Sequence, residues 1–192
     1  MYLKHYNLTL KPFEINPDQK FLWLGEKHKE ALIAMKNGIL ENKGFIALTG
    51  DVGTGKTTLV NALADMLGDN ILFAQVSDPS LEQLDVLNLS ANAFKINKKF
   101  STKGDFLSHL RHFLNHAYVH RKEVVLVFEE AQKFDQERLE EVRLILNLQP
   151  DKKLINIVFV GQNEFNNILK KNKPLRQEFS VVVQFNCRVF YP

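Results

Sequence analysis

Eight consecutive residues, Gly50 to Thr57, have the types and spacing needed to bind the phosphates of a nucleotide. Their sequence, Gly-Asp-Val-Gly-Thr-Gly-Lys-Thr, matches the pattern G-x-x-x-x-G-K-[ST]. Glycines allow the backbone to turn so that successive N–H groups point at phosphate oxygens. In a loop of this kind the Lys56 ammonium reaches the β- and γ-phosphates, and the Thr57 hydroxyl ligates Mg²⁺. The alternative is a glycine-rich turn that binds nothing.

The segments on either side of this loop favour the nucleotide site. Residues 45–48 form an apolar run typical of a buried strand, and residues 57–67 have the pattern of a helix that ends at Gly68. A helix N-terminus carries roughly half a positive charge, which favours bound phosphate. We therefore predict a nucleotide-binding loop made of Gly50, Asp51, Val52, Gly53, Thr54, Gly55, Lys56, Thr57 and Thr58.

Two adjacent carboxylates, Glu129 and Glu130, follow the uniformly apolar run 124–128. Such a run predicts a strand that is covered on both faces of a parallel sheet. Nucleotide hydrolysis needs an anchored Mg²⁺ and a group that orients the attacking water, and ligands collect at the carboxyl ends of parallel strands. We assign Glu129 to the Mg²⁺ shell, through water, and Glu130 to activation of the attacking water. The usual pair is Asp-Glu, so Glu129 adds one methylene; a solvated strand end is the alternative.

Polar residues also follow the next apolar run, 155–160. Gln162 is our candidate for an amide that contacts the γ-phosphate or the attacking water, and a helix-capping role for Asn163 is the competing interpretation of this segment. Arg176 precedes the last predicted strand. In ring-forming ATPases an arginine from this region enters the site of the neighbouring subunit, and a surface arginine is the alternative.

Apolar strands alternate with helices along the chain. Strands are predicted at 45–48, 71–75, 124–128, 155–160 and 180–185, and helices at 27–42, 57–67, 80–93, 104–121, 135–148 and 163–172. Ser80 and Thr102 are the predicted start signals of the third and fourth of these helices. This order predicts one α/β domain with a parallel sheet and right-handed crossovers. Residues 1–25 are interpreted as an irregular arm with aromatic anchors at Tyr6, Phe13, Phe21 and Trp23.

Composition excludes several classes of protein. The 192 residues are 45% hydrophobic and 24% charged, and a net charge of +3 is too small to indicate a nucleic-acid-binding protein. No apolar run approaches the ~20 residues of a membrane-spanning helix. The single cysteine, Cys187, cannot form an internal disulfide and is typical of a reducing compartment. His109, His112 and His116 share a predicted helix face, which we interpret as solvated rather than metal-binding.

With these motifs in this order, the chain resembles the ExeA/GspA-type AAA+ ATPases (general secretion pathway protein A). The matching segments are 6–8, 11–13, 16–18 and 21–24 in the arm, 48–58 around the phosphate loop, and 129–132, 139–148, 160–165 and 175–177 further on. The order and spacing of these segments are more specific than any one motif. The resemblance extends over nearly the whole chain.

The resemblance implies an AAA+ core, a three-layer P-loop NTPase whose five-stranded parallel sheet has the order 5-1-4-3-2. It implies ATP as the nucleotide, Mg²⁺ as the metal, and a homo-oligomer in the full-length protein. The implied function is an ATPase that energises assembly of envelope machinery, such as the type II secretin or type IV and MSHA-type pili. The arm would then cover the base, with Phe13 or Tyr6 near adenine; plain core packing of Phe13 is the alternative.

Three departures from the family pattern bear on this interpretation. Glu129 stands in place of Asp, Glu178 stands where the family often has a second arginine, and the chain stops at Pro192, where the family continues into a helical lid. We therefore expect residues 1–192 to be an ATPase core with an arm and helix at 1–43 and no lid, either a fragment of a longer protein or an isolated core. Without the lid we expect weak nucleotide binding, slow hydrolysis and a monomer. The full-length protein is expected in the cytoplasm at the inner membrane, with membrane contact only through segments beyond this chain.

Two other functions remain open at this point. A DNA-associated ATPase of the transposition-regulator type would use one of two basic clusters, which are Lys95, Lys98, Lys99 and Lys103, and Lys170, Lys171, Lys173 and Arg176. Solvated surface is the alternative interpretation of both clusters. A nucleotide-sensing scaffold, which binds but barely hydrolyses, would agree with Glu129 and with the absent lid.

Overall fold

One parallel sheet organises the computed structural model, which describes residues 2–7, 9, 24–78, 82–148 and 152–185. Its strands are β1 (Phe45–Gly50), β2 (Ile71–Val76), β3 (Glu123–Phe128), β4 (Asn156–Gly161) and β5 (Phe179–Phe185). They lie in the order β2-β3-β4-β1-β5, with every neighbouring pair parallel. From the opposite edge this order is 5-1-4-3-2, so the predicted α/β P-loop fold is confirmed.

Helices cover both faces of this sheet. Those in the described residues are α1 (Tyr2–His5), α2 (Glu26–Leu40), α3 (Lys56–Leu67), α4 (Gln83–Ala93), α5 (Lys103–Val119), α6 (Gln136–Leu146), α7 (Glu164–Lys171) and α8 (Lys173–Glu178). A short 3₁₀ turn, Ala131–Lys133, follows β3. Features predicted from the sequence that lie outside the described residues are Phe13, Phe21, Trp23, Ser80 and Cys187.

The side chains of each central strand alternate between two hydrophobic layers. In β1, Ile46 and Leu48 pack in one layer with α2 and α3, whereas Phe45 and Ala47 pack in the other with α4 to α8. All six residues of β1 and all six of β4 are buried. Uniform burial explains why these strands are apolar without a polar alternation. The edge strand β5 is different, because Val182 and its neighbours on the same face are exposed.

An aromatic cluster centred on Phe159 of β4 supports the loops that follow the strands. The Phe159 ring lies 5.9 Å from that of Phe128, which ends β3, and 5.6 Å from that of Phe134 beyond the 3₁₀ turn. It also lies 5.4 Å from the ring of Phe165 in α7. Aromatic pairs at these separations add stability beyond the area they bury. The segments after β3 and β4 are thereby held on one rigid base.

One buried polar side chain, Asn156, joins the segments at the amino ends of the central strands. Its Oδ1 accepts a hydrogen bond from the Gly44 N–H at 3.2 Å, and its Nδ2 donates to the Ile39 carbonyl at 3.1 Å and to Asn42 Oδ1 at 3.0 Å. A buried amide is tolerated only when its hydrogen-bonding groups are paired. The end of α2, the start of β1 and the start of β4 are joined by these bonds.

Several helices differ from the prediction. Helix α1 lies in the arm that was interpreted as irregular, and most other helix bounds shift by one or two residues. The helix predicted at 80–93 begins at Gln83, because Glu82 has extended backbone with ψ 152° and cannot be part of a helix. Helix α8 was not predicted, since Pro174 indicates a break. Proline is tolerated in a first turn, and the Asn172 side chain caps this helix by accepting from the Leu175 N–H at 3.1 Å. By contrast, the predicted start signal Thr102 is confirmed, because its hydroxyl accepts from the Asp105 N–H at 3.2 Å.

Candidate nucleotide site

The phosphate loop runs from the end of β1 to the start of α3. Gly53 and Gly55 have φ of +79° and +81°, a region that residues with a Cβ rarely adopt. Gly55 is the N-cap residue of α3, so the first amides of that helix face the loop. The Thr54 side chain is turned inward, where its hydroxyl donates to the Asp51 carbonyl at 2.8 Å. The loop therefore has the backbone shape of an anion-binding turn at a helix N-terminus.

Lys56 lies across this loop. Its Nζ donates to the Gly50 carbonyl at 2.9 Å and to the Asp51 carbonyl at 2.7 Å. Partial burial lowers the pKa of Lys56 below its ordinary value of 10.5, while the nearby Glu130 and Asp51 carboxylates act in the opposite direction. A bound polyphosphate would favour the charged ammonium further. The contact of Lys56 with the β- and γ-phosphates stays a prediction.

The two residues predicted to hold the metal contact each other. The Thr57 hydroxyl donates to Glu129 Oε1 at 2.8 Å. The longer side chain of Glu129, compared with the usual Asp, therefore reaches the start of α3. One hydroxyl oxygen and one carboxylate, brought together beside a phosphate loop, are the oxygen donors that Mg²⁺ prefers. The residues present fit a magnesium ion, which would neutralise charge on bound phosphates.

Glu130 has a different partner, Gln132. Gln132 Nε2 donates to Glu130 Oε2 at 2.7 Å, while Gln132 Oε1 accepts from the backbone N–H of Gln162 at 2.9 Å. Glu130 has a φ of +51°, in the left-handed region that is uncommon for a residue with a side chain. Such geometry is found at functional sites, where the surrounding contacts maintain it. Gln132 thus links the carboxylate after β3 to the end of β4.

A glycine makes room for this link. A Cβ added to Gly161 would lie 2.9 Å from Gln132 Oε1 and 3.1 Å from the Ala131 Cβ. The first separation is too short for a real contact and the second is tight, so a side chain at position 161 would displace the Gln132 amide. The Gln132 bridge depends on glycine at the end of β4.

Asn163, rather than Gln162, brings a side-chain amide to the phosphate loop. Asn163 Nδ2 donates to Asp51 Oδ1 at 2.7 Å, and Asn163 Oδ1 accepts from Gln184 Nε2 at 3.4 Å. Asn163 is the N-cap residue of α7, but its side chain makes no capping hydrogen bond, so the competing interpretation as a side-chain cap is wrong. The assignment of Gln162 as the amide near the γ-phosphate stays a prediction, since its described hydrogen bond is through the backbone.

Arg176 lies on the exposed side of α8, beside the edge strand β5. It lines a cavity of about 430 Å³ together with Asn163, Asn166 and Gln184. Asn163 belongs to the network at Asp51, so Arg176 shares a surface with one flank of the phosphate loop. Its proposed insertion into a neighbouring subunit stays a prediction.

His28 of α2 is a site residue that the sequence did not indicate. His28 Nε2 lies 3.3 Å from the Thr54 carbonyl, and its ring lies 4.6 Å from that of Phe185 at the end of β5. The ring therefore packs between the phosphate loop and the last strand. A lone histidine in an amphipathic helix carries no motif, and only the position of α2 against the loop reveals it.

In the arm, the exposed Tyr6 makes a ring contact with His5 at 4.7 Å.

The geometry agrees with comparisons to known proteins. The sequence model of a family described as AAA domain matches residues 39–169, a span that includes the phosphate loop, both carboxylates and Asn163. The chain belongs to the AAA domain family. It is also 36% identical over 174 residues to general secretion pathway protein A of Aeromonas hydrophila. That alignment covers 89% of this chain and 32% of the relative, so the chain spans about a third of the relative's length.

Solved structures support the fold of this AAA domain. The ORC2 protein of Aeropyrum pernix, solved as ADPNP–ADP complexes, matches with a TM-score of 0.60 and 15% identity over 83% of this chain and 46% of its own. Cdc6p of Pyrobaculum aerophilum matches with a TM-score of 0.65 and 19% identity over 85% of this chain and 46% of its own. Membership of the family implies nucleotide binding. In the described residues, no helix is long and apolar enough to cross a membrane.

Proposed function

We propose that this AAA domain hydrolyses ATP with Mg²⁺ held at Thr57 and Glu129. The observation that carries the proposal is the 2.8 Å contact between these two side chains. Glu130 is the residue that follows Glu129 in the chain. Lys56 binds the β- and γ-phosphates, Glu130 activates the attacking water, and Gln162 contacts the γ-phosphate or that water. Arg176 offsets transition-state charge in a neighbouring subunit, so the full-length protein works as a homo-oligomer.

We propose further that the domain energises assembly of a secretion or pilus apparatus. The support is its relation to general secretion pathway protein A, of which this chain matches about a third. In that function the domain works in the cytoplasm, at the inner membrane, as part of a longer protein.

Magnesium dependence tests the hydrolytic part of the proposal. Phosphate release from ATP is expected to be multiple-turnover with Mg²⁺ and to fall to background with excess EDTA, because no bridging cation then neutralises the phosphates. The measurement is steady-state phosphate release over a range of protein concentrations, since oligomerisation completes the site. Tight binding of Mg-ATP without turnover, at every concentration tested, would contradict hydrolysis and favour the nucleotide-sensing scaffold.

Replacing Gln132 with Ala should reduce turnover without weakening nucleotide binding. Gln132 contacts Glu130 and the Gln162 backbone but not the phosphate loop, so its loss frees the catalytic carboxylate and leaves the phosphate contacts intact. Misplacement of a catalytic group by about 1 Å costs about a hundredfold in rate. The expected result is kcat about tenfold to a hundredfold lower with KM for Mg-ATP near wild type. The control is Gln136→Ala on the exposed first turn of α6; equal kcat in both variants would contradict the role of Gln132.

The alternative of a DNA-associated ATPase rests on the two basic clusters. In the first cluster, Lys98 pairs with Asp105 at 2.9 Å and Lys103 pairs with Glu141 at 3.2 Å. These pairs offset half of the positive charge that the cluster would present to phosphates. The relation to general secretion pathway protein A is the reason to keep the secretion-type ATPase as the proposed function.

A further inference from the structure

A second cavity lies at the edge of the sheet opposite the nucleotide site. It has a volume of about 610 Å³ and is placed where β1, β3 and β4 begin and where α5 ends. We call it the basic groove and define it by Tyr118, Val119, Arg121, Lys122, Lys152 and Lys153, which line it. Four of these six side chains are cationic. Neither the nucleotide site nor the proposed hydrolysis uses any of them.

The positive charge of the basic groove is only weakly offset. Lys153 has a carboxylate neighbour, Glu178, at 4.0 Å, and Glu123 is the acidic residue of the lining. The ion pairs found among residues 24–78, 82–148 and 152–185 do not involve Arg121 or Lys122. Both residues are exposed. Their charges are therefore available to an anionic partner.

Two side-chain acceptors of the groove are already engaged, and Glu123 adds one carboxylate to its lining. Tyr118 Oη accepts from Lys152 Nζ at 3.0 Å, and Asn42 Oδ1 accepts from Asn156 Nδ2 at 3.0 Å. A peptide segment would bring its own N–H donors, which need acceptors. A phosphate ester brings only acceptors, which match the ammonium and guanidinium donors of the groove. Because four cationic donors line the groove against one carboxylate, the groove favours phosphate over peptide.

Apolar side chains are exposed at the same edge. Val119 is 75% exposed, Tyr118 is 53% exposed, and Leu40, two residues before Asn42 of the groove lining, is 52% exposed. Nucleic-acid backbone would give exposed aliphatic side chains no favourable partner. The boundary between lipid headgroups and acyl chains accommodates both kinds of group, with aromatic and aliphatic side chains inserted and basic side chains among the phosphates.

We propose that this edge of the domain docks on a bilayer that contains anionic phospholipid. Lipid phosphates enter the basic groove, where Arg121 and Lys122 bind them, and Val119 with Tyr118 inserts at the interface. The chain turns sharply here, because Arg121 has a φ of +56° and its N–H bonds the Tyr118 carbonyl at 2.9 Å. The surface of the domain itself makes this contact. From the sequence we expected membrane contact only through segments beyond this chain. The nucleotide edge faces away and stays open.

Vesicle binding tests this proposal directly. Wild-type chain without nucleotide should co-sediment with vesicles of phosphatidylcholine plus phosphatidylglycerol, but not with pure phosphatidylcholine, and added salt should weaken binding. The double variant Arg121→Gln with Lys122→Gln should bind about thirtyfold more weakly, because two cations near the surface are lost. Its control, Lys99→Gln with Lys171→Gln, removes the same charge from exposed positions elsewhere and should bind as wild type does.

A substitution that does not alter charge distinguishes binding to a bilayer from binding to a polyanion such as DNA. Val119→Ser should weaken vesicle binding by about tenfold, because an inserted apolar group is lost, and Val182→Ser, equally conservative on the exposed face of β5, should not. Circular dichroism melting would check that each variant is folded. If the double variant is unfolded, the single variant Lys122→Gln tests the effect of charge instead. Three results would each overturn the proposal. The wild type could fail to bind anionic vesicles, or the control pair could lose as much binding as the double variant. The third is that Arg121 and Lys122 bind a labelled DNA duplex more tightly than they bind vesicles.

Discussion

Glu130→Gln is expected to lower kcat for ATP hydrolysis by about 10²- to 10⁴-fold, because the variant amide cannot accept the proton of the attacking water. Gln has the shape of Glu, so the φ of +51° at this position and the contact with Gln132 remain available. Nucleotide affinity should stay near wild type, since Glu130 does not contact the phosphate loop through a hydrogen bond. Phosphate release and equilibrium binding of a fluorescent ATP analogue measure the two effects separately.

Glu137→Gln is the matched control for this change. It removes one carboxylate from the exposed first turn of α6, close in sequence to Glu130 and outside the site. Its kcat should equal that of wild type. On the proposed function, Glu130→Gln introduced in cells should also prevent assembly of the envelope partner, measured as loss of secretin multimers or pili. Full turnover by Glu130→Gln would sink the assignment of Glu130 as the water-activating residue.

Lys56→Ala is expected to weaken nucleotide binding by about tenfold to a hundredfold, because charge-assisted hydrogen bonds to phosphate are worth about 1.5–3 kcal/mol. Turnover should fall as well, since the same ammonium stabilises charge on the transferred phosphate. Titration calorimetry with Mg-ATP gives the dissociation constants. Lys99→Ala, at an exposed position away from the loop, is the control and should bind as wild type does.

The pH dependence of binding gives Lys56 a second signature. The pKa of Lys56 lies below its ordinary value because the side chain is partly buried. Phosphate binds the charged form, so affinity is fully present below this pKa and is lost as the pH rises through it. The loss should therefore begin at lower pH than for an exposed lysine, and Lys56→Ala should lack it. An unchanged alkaline profile in Lys56→Ala would show that another group is responsible.

The order of elements could be predicted because each one is encoded locally. The run from Phe45 to Leu48 is apolar since both faces of β1 are covered, and the glycines of the phosphate loop are needed for the backbone angles at positions 53 and 55. Thr102 caps α5 within three residues of itself. By contrast, α8 was missed because Pro174 indicates a break, and the start of α4 was misplaced because a local capping pattern does not specify where extended backbone ends.

The contacts of the site were harder to predict from the sequence, because they join residues that are distant in the chain. Thr57 and Glu129 are separated by 72 positions, and Asp51 and Asn163 by 112. The motifs indicated that both carboxylates belong at the carboxyl edge of the sheet, as a parallel sheet requires. They did not indicate that Asn163 would bond to Asp51, or that Gln132 would join Glu130 to β4. Amide side chains can pair with many partners, so their type alone does not select one.

The sequence by itself determined the phosphate loop, the alternation of strands and helices, and the acidic pair after β3, because each depends on backbone angles, periodicity or burial within a short segment. Only the tertiary structure decided that His28 packs on the phosphate loop and that Arg121, Lys122, Lys152 and Lys153 meet at one groove. These residues lie on α2 and on the segments before β3 and β4, which share no motif. Their proximity follows from the way the sheet brings the starts of β1, β3 and β4 to one edge, and that arrangement is set by packing across the whole domain.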